Sequence, residues 1–126
     1  MKRSTEIYIK DIVEYMERAE KHIKNFQLEQ FLKDDKACDA VIRCIEVIGE
    51  ATKNIPEEIR IRYPSIQWRD LAGMRDKIIH SYFTVDFETV WLVVKDDIPR
   101  LKPKLKKVLE DLENLKNSEE IDKNDS

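Results

Sequence analysis

Apolar residues return every three or four positions along most of this chain, and that period suits one kind of element. Tyr8, Ile12, Tyr15/Met16, Ala19 and Ile23 form one stripe, and Ala37, Val41, Cys44/Ile45, Ile48 and Ala51/Thr52 form a second, with Ile55 beyond. Phe87, Val90, Trp91 and Val94 make another, and Leu101, Leu105, Val108/Leu109, Leu112 and Leu115 the last. A helix turns about 100° per residue, so each set lies along one side of a helix. Strand-like alternation is scarce, and the 126 residues include only two glycines and four prolines. The expected fold class is all-α, an up-and-down bundle of four to five helices with short loops.

Local signals divide the bundle. Ser4 is a plausible N-cap for a first helix running to about Asn25. Residues 26–33 read as a connector with a short helical possibility, and Asp34 or Asp35 caps the next helix, which Pro56 stops. Pro56 to Ile61 suggests a turn with a short helix ended by Pro64. Ser65 is the expected cap of a helix holding Trp68, Leu71, Met74 and Ile78 and ending near Ser81 to Phe83. Asp86 caps another, and Pro99 and Pro103 punctuate the passage into the last. Residues 1–116 form the expected domain, and 117–126 a polar tail with almost nothing to bury, expected to be frayed or disordered.

Charged residues make up 39% of the chain, yet the net charge is only -3. A strongly basic nucleic-acid coat is therefore excluded, and any such site must be a local patch. Lys95, Arg100, Lys102, Lys104, Lys106 and Lys107 offer one, as an RNA-backbone contact or simply a solvated lysine face. Trp68 and Trp91 could stack bases or serve as core or dimer contacts. Cys38 and Cys44 lack zinc-ligand spacing and read as reduced, buried thiols. No apolar run approaches the ~20 residues that span a bilayer, and no hydrophobic targeting region opens the chain, so a cytoplasmic location is expected. His22, at the end of the first helix, suits a surface position favoured by the helix dipole.

One stretch departs from scaffold chemistry. Arg75-Asp76-Lys77-Ile78-Ile79-His80-Ser81-Tyr82 gathers a guanidinium, a carboxylate, an imidazole and a phenol. On a continuous helix Asp76 and His80 share a face, so the carboxylate could hold one imidazole nitrogen. Arg75 and His80 would lie roughly 140° apart. Either the arginine bends round, or a second copy of the chain completes the site in a symmetric dimer. Arginine suits a phosphate and the charge that builds in a phosphoryl transition state. Histidine can take or give a proton near neutrality. The pair fits metal-independent RNA cleavage, with His80 drawing a proton from a ribose 2′-hydroxyl. A histidine satisfied at a helix end and an arginine in an ion pair fit the same spacing. One carboxylate and one imidazole do not make a metal site, and neither metal nor cofactor is expected.

The Arg-x4-His-x-Tyr pattern resembles that of the HepT-like toxins of the HEPN superfamily. The resemblance extends from about residue 5 to residue 115. It takes in Asp39-Ala-Val-Ile-Arg43, Ile48-Gly49-Glu50-Ala51, Trp68-Arg-Asp-Leu-Ala-Gly73-Met74-Arg75, Tyr82-Phe83, Val90-Trp91 and Asp97-Ile98-Pro99-Arg-Leu101. It implies a bundle that forms homodimers or larger assemblies, with the motif helices lining the cleft between subunits. It implies the toxin ribonuclease of a type VII toxin-antitoxin pair, with RNA as substrate and Arg75 and His80 as the catalytic residues. It also implies a cognate MntA-like minimal nucleotidyltransferase antitoxin, which can transfer AMP from ATP to Tyr82. The bulky anionic adduct would block an RNA cleft. The residue after the arginine is often Asn in that family and is Asp76 here, where it could support the site by orienting His80. The alternative is a non-catalytic helical partner that presents nucleotide or substrate to such a nucleotidyltransferase.

Overall fold

The computed structural model describes residues 4–81 and 84–125, with backbone alone at residues 80, 81 and 119–125. Helix α1 spans Thr5–His22, α2 Leu28–Lys33, α3 Asp35–Lys53, α4 Glu57–Arg62, α5 Trp68–Ala72 and α6 Met74–Ile78. Strands β1 (Ile79–Ser81) and β2 (Thr84–Val85) follow, then α7 (Phe87–Leu92), a π-helical turn at Val93–Asp97 and α8 (Ile98–Asp125). The architecture is an all-α bundle with one two-stranded ribbon at its edge.

Three of the four expected caps, Ser4, Asp34 and Asp86, form. The Ile7 amide donates to Ser4 Oγ at 3.4 Å, Ala37 to Asp34 Oδ1 at 2.9 Å and Thr89 to Asp86 Oδ1 at 3.0 Å. Each side-chain oxygen satisfies an N–H that the first turn leaves without a helical partner. The stripes then meet. Helix α1 packs on α3 and α8, and α3 also carries α5, α6 and α7. Ile9, Ile12 and Met16 of α1, Ile45 and Ile48 of α3, and Ile98, Leu101 and Leu105 of α8 are almost wholly buried in a common core. Burying each such side chain stabilises the fold by about 1.5–3 kcal/mol relative to leaving it in water. Both cysteines are buried and unpaired, and the Cys38 thiol donates to the Phe31 carbonyl at 3.2 Å.

Four features differ from the sequence reading. The helix expected to be capped by Ser65 begins at Trp68, after Gln67, and the Ser65 carbonyl accepts from Lys104 instead. That helix breaks at Gly73 into α5 and α6. It also stops at Ile78 rather than continuing to Ser81–Phe83, because the backbone turns into a ribbon: Ile79 pairs with Val85, Ser81 with Thr84, and the Asp86 amide donates to the Ile78 carbonyl at 2.8 Å. The β-branched Ile79, Thr84 and Val85 favour this extended pairing. Finally, Pro99 and Pro103 lie within helix rather than before it. Pro99 has no N–H to offer the preceding turn. The helix widens just upstream, where the Ile98 amide reaches back to the Val93 carbonyl, so α7, the π turn and α8 run on without a break in helical backbone. At the far end, where the polar composition suggests fraying, the α8 backbone is helical to Asp125, with residues 114–118 exposed.

A polar clasp ties the α4–α5 connection to α8. The Tyr63 hydroxyl donates to Asp111 Oδ2 at 2.7 Å, Lys107 Nζ lies 3.0 Å from Asp111 Oδ1, and Trp68 Nε1 donates to the Tyr63 carbonyl at 3.1 Å. The Tyr63 hydrogen bond, then that of Lys107, holds the Asp111 carboxyl below its ordinary range. Burial, then the bond to Asp111, raises Tyr63, and the bond to Asp111 raises Lys107. The depressed carboxyl contributes stability that is present above its unfolded pKa and lost as pH falls through the folded value. The two raised groups contribute stability that is lost as pH climbs through theirs. Asp111→Asn is therefore expected to lower the melting temperature at neutral pH and to flatten the acid limb of its pH profile below about pH 4, which thermal melts across pH would read.

Candidate active site

The motif is carried by the short α6 and by β1. Helix α3 fixes their distance from the core. A Cβ built on the buried Gly49 would sit 3.3 Å from the Ala72 carbonyl oxygen, so hydrogen at this position lets the end of α5 lie directly on α3. Gly73 joins α5 to α6, donating to the Arg69 carbonyl at 2.9 Å, and a Cβ there would meet that same oxygen at 3.3 Å. Met74 and Ile78, four apart, anchor α6 in the core.

Opposite those anchors, α6 presents Arg75, Asp76 and Lys77 to solvent. The Arg75 side chain is 52% exposed and Asp76 is 85% exposed. Arg75 Nη1 lies 3.9 Å from Asp76 Oδ1, a loose contact between neighbours that leaves the guanidinium fork available to a phosphate. His80 lies in β1, so the shared helical face proposed for Asp76 and His80 does not exist: the helix ends two residues earlier. The roughly 140° separation expected for Arg75 and His80 lapses for the same reason. The side chain of His80 and the whole of Tyr82 lie outside the described residues.

Lys77 Nζ lies 3.0 Å from Asp97 Oδ2 in the π turn, and Arg100 Nη2 lies 3.7 Å from Asp97 Oδ1. Arg100 Nη1 donates to Gln67 Oε1 at 2.9 Å. Lys77, Asp97 and Arg100 border a groove of about 460 Å³ lined also by Arg69, Asp70, Gly73, Met74, Asp76 and Leu101. Sequence reasoning gives Lys77 and Asp97 no role, because a contact across twenty residues between two short elements leaves no periodic trace.

The lysine-rich stretch of α8 does not form a free cationic face. Lys102 pairs with Glu20, Lys106 lies 3.9 Å from Glu17, Lys107 pairs with Asp111, and Lys104 donates to the Ser65 carbonyl at 3.0 Å. Lys95 sits 4.9 Å from the centre of the Trp91 ring. Trp68 is buried with its N–H bonded, and Trp91 is half-buried against Phe31, so both follow the packing reading rather than base stacking.

The sequence profile of the family described as "Ribonuclease HepT-like" matches residues 12–108. Over 108 residues the chain is 49% identical to "Probable ribonuclease HepT" of Thermococcus cleftensis, a match covering 86% of this chain and 98% of that protein. It is 46% identical over 112 residues to "Putative RNase MJ1216" of Methanocaldococcus jannaschii, covering 89% and 93%. It is 37% identical over 103 residues to "Putative RNase TTE0752" of Caldanaerobacter subterraneus, covering 82% and 92%. No solved structure matches the chain.

Proposed function

Since the chain belongs to the HepT-like ribonuclease family, we propose that it cleaves RNA without a metal ion, using Arg75 and His80. His80 takes the proton of a ribose 2′-hydroxyl, and that oxygen attacks the adjacent phosphorus. The bond to the 5′-oxygen breaks, and the leaving oxygen receives a proton. Arg75 stabilises the charge that builds on the non-bridging oxygens. The products are a 2′,3′-cyclic phosphate and a 5′-hydroxyl. In a homodimer the His80 of a second copy protonates the leaving oxygen while the first acts as base. The observation that carries this reading is an exposed guanidinium on the helix leading directly into the strand that holds the motif histidine.

The same reading makes the protein the toxin of a two-component pair. The partner is a minimal nucleotidyltransferase that silences it by moving the adenylyl group of ATP onto the Tyr82 hydroxyl oxygen, with pyrophosphate leaving and the phenol proton lost. The added phosphate and base oppose an incoming RNA backbone by charge and bulk. Purified protein is expected to cut single-stranded RNA in the presence of EDTA and to leave DNA of the same sequence intact, since DNA lacks the attacking hydroxyl. RNA bound but never cut would favour a non-catalytic binding module. With the partner and ATP, the intact protein is expected to gain the mass of one adenylyl group (AMP less water) and lose cleavage, whereas Tyr82→Phe should gain neither the adduct nor the inhibition.

A further inference from the structure

We propose that Asp97 is a positioning residue for the motif helix: it grips Lys77 of α6 and Arg100 of α8 and thereby sets the direction in which Arg75 leaves the surface. Helix α6 has five residues and no side-chain cap. Its two buried anchors, Met74 and Ile78, lie on one side and hold it to the core. Two side-chain anchors on one line resist roll about that line weakly, leaving it to the backbone bonds at either end of the helix. Lys77 supplies the third point, reaching the 23%-exposed Asp97 carboxylate at 3.0 Å.

That carboxylate comes from a π turn, where the extra residue per turn re-aims side chains relative to a regular helix. Arg100, one turn later, bonds Gln67 ahead of α5, so the network Gln67–Arg100–Asp97–Lys77 spans the α5–α6 segment from its start to the residue two beyond Arg75. Exposed ion pairs contribute little to folding. This one accordingly acts on orientation more than on stability. Orientation matters here because a small misplacement of a catalytic group slows the reaction steeply.

The inference rests on the ribonuclease reading, and its test carries a readout independent of that reading. A defined single-stranded RNA oligonucleotide is the substrate, and the purified full chain and its variants are the enzymes. Asp97→Asn is expected to lower kcat about tenfold with KM nearly unchanged and with the melting temperature close to that of the parent. Asp97→Glu should recover part of the loss. Lys77→Gln should reproduce it, and the double variant should be no worse than either single one, as expected of two residues acting as a unit. Amide hydrogen exchange should quicken at Lys77 and Ile78 in Asp97→Asn and stay unchanged in α1 and α3.

Unaltered kcat in Asp97→Asn, additive effects in the double variant, or a Lys77→Gln defect confined to KM would overturn the proposal. If the parent cuts no RNA, the ribonuclease reading fails separately. Unchanged exchange at Lys77 and Ile78 would then still sink the positioning role, and faster exchange confined to them would still support it.

Discussion

Alanine at His80 is expected to lower RNA cleavage by about a thousandfold, because on the proposed mechanism it removes the group that moves the proton. Alanine at Arg75 should cost a similar factor through the loss of charge stabilisation at phosphorus. The Arg75 side chain is half exposed and its only described ion pair is a 3.9 Å contact with its neighbour, so its loss opens no cavity and strands no buried charge. Initial rates on an RNA oligonucleotide and thermal melts of the same samples separate chemistry from folding. If the two residues act on one phosphodiester, the double variant should be far less than multiplicatively worse than either single variant. On the toxin reading proposed above, the same substitutions should abolish growth arrest caused by expressing the protein alone.

The second large effect is structural. Ile78→Ala is expected to destabilise the protein by about 2–5 kcal/mol, since Ile78 is fully buried and the surrounding helices cannot collapse around the space left behind. The melting temperature should fall by about 10 °C or more. Ile78 also ends α6, and its carbonyl accepts the Asp86 amide that closes the ribbon. Loss of its packing should therefore depress cleavage further than the fraction unfolded explains. Circular dichroism melts and activity measured well below the new midpoint would show both effects.

The scaffold was legible because its signals are local. Ser4, Asp34 and Asp86 cap helices through bonds to residues three positions on, and a spacing of that kind can be read along a string of letters. The stripes of α1, α3 and α8 were legible for the same reason. The break after Ile78 was not, because two apolar β-branched residues fit a buried helix as well as a strand. What decides between them is Thr84 and Val85 arriving alongside. Pro99 signalled an interruption, but its effect was to widen a continuing helix rather than to start a new one. At the site, residue types identified Arg75 and His80 as candidates. The helical geometry assigned to them did not hold, and the support that Lys77 receives from Asp97 came from a contact no short-range pattern encodes.

Metal-free attack by the ribose hydroxyl is the claim from which the roles of Arg75, His80 and Tyr82 all follow. It is tested most directly by mapping the ends of the fragments made from a defined RNA in EDTA. Fragments ending in 2′,3′-cyclic phosphate and beginning with 5′-hydroxyl, absent from the His80→Ala reaction, are the predicted result. Fragments with 3′-hydroxyl and 5′-phosphate ends, or cleavage that appears only when a divalent cation is restored, would contradict it.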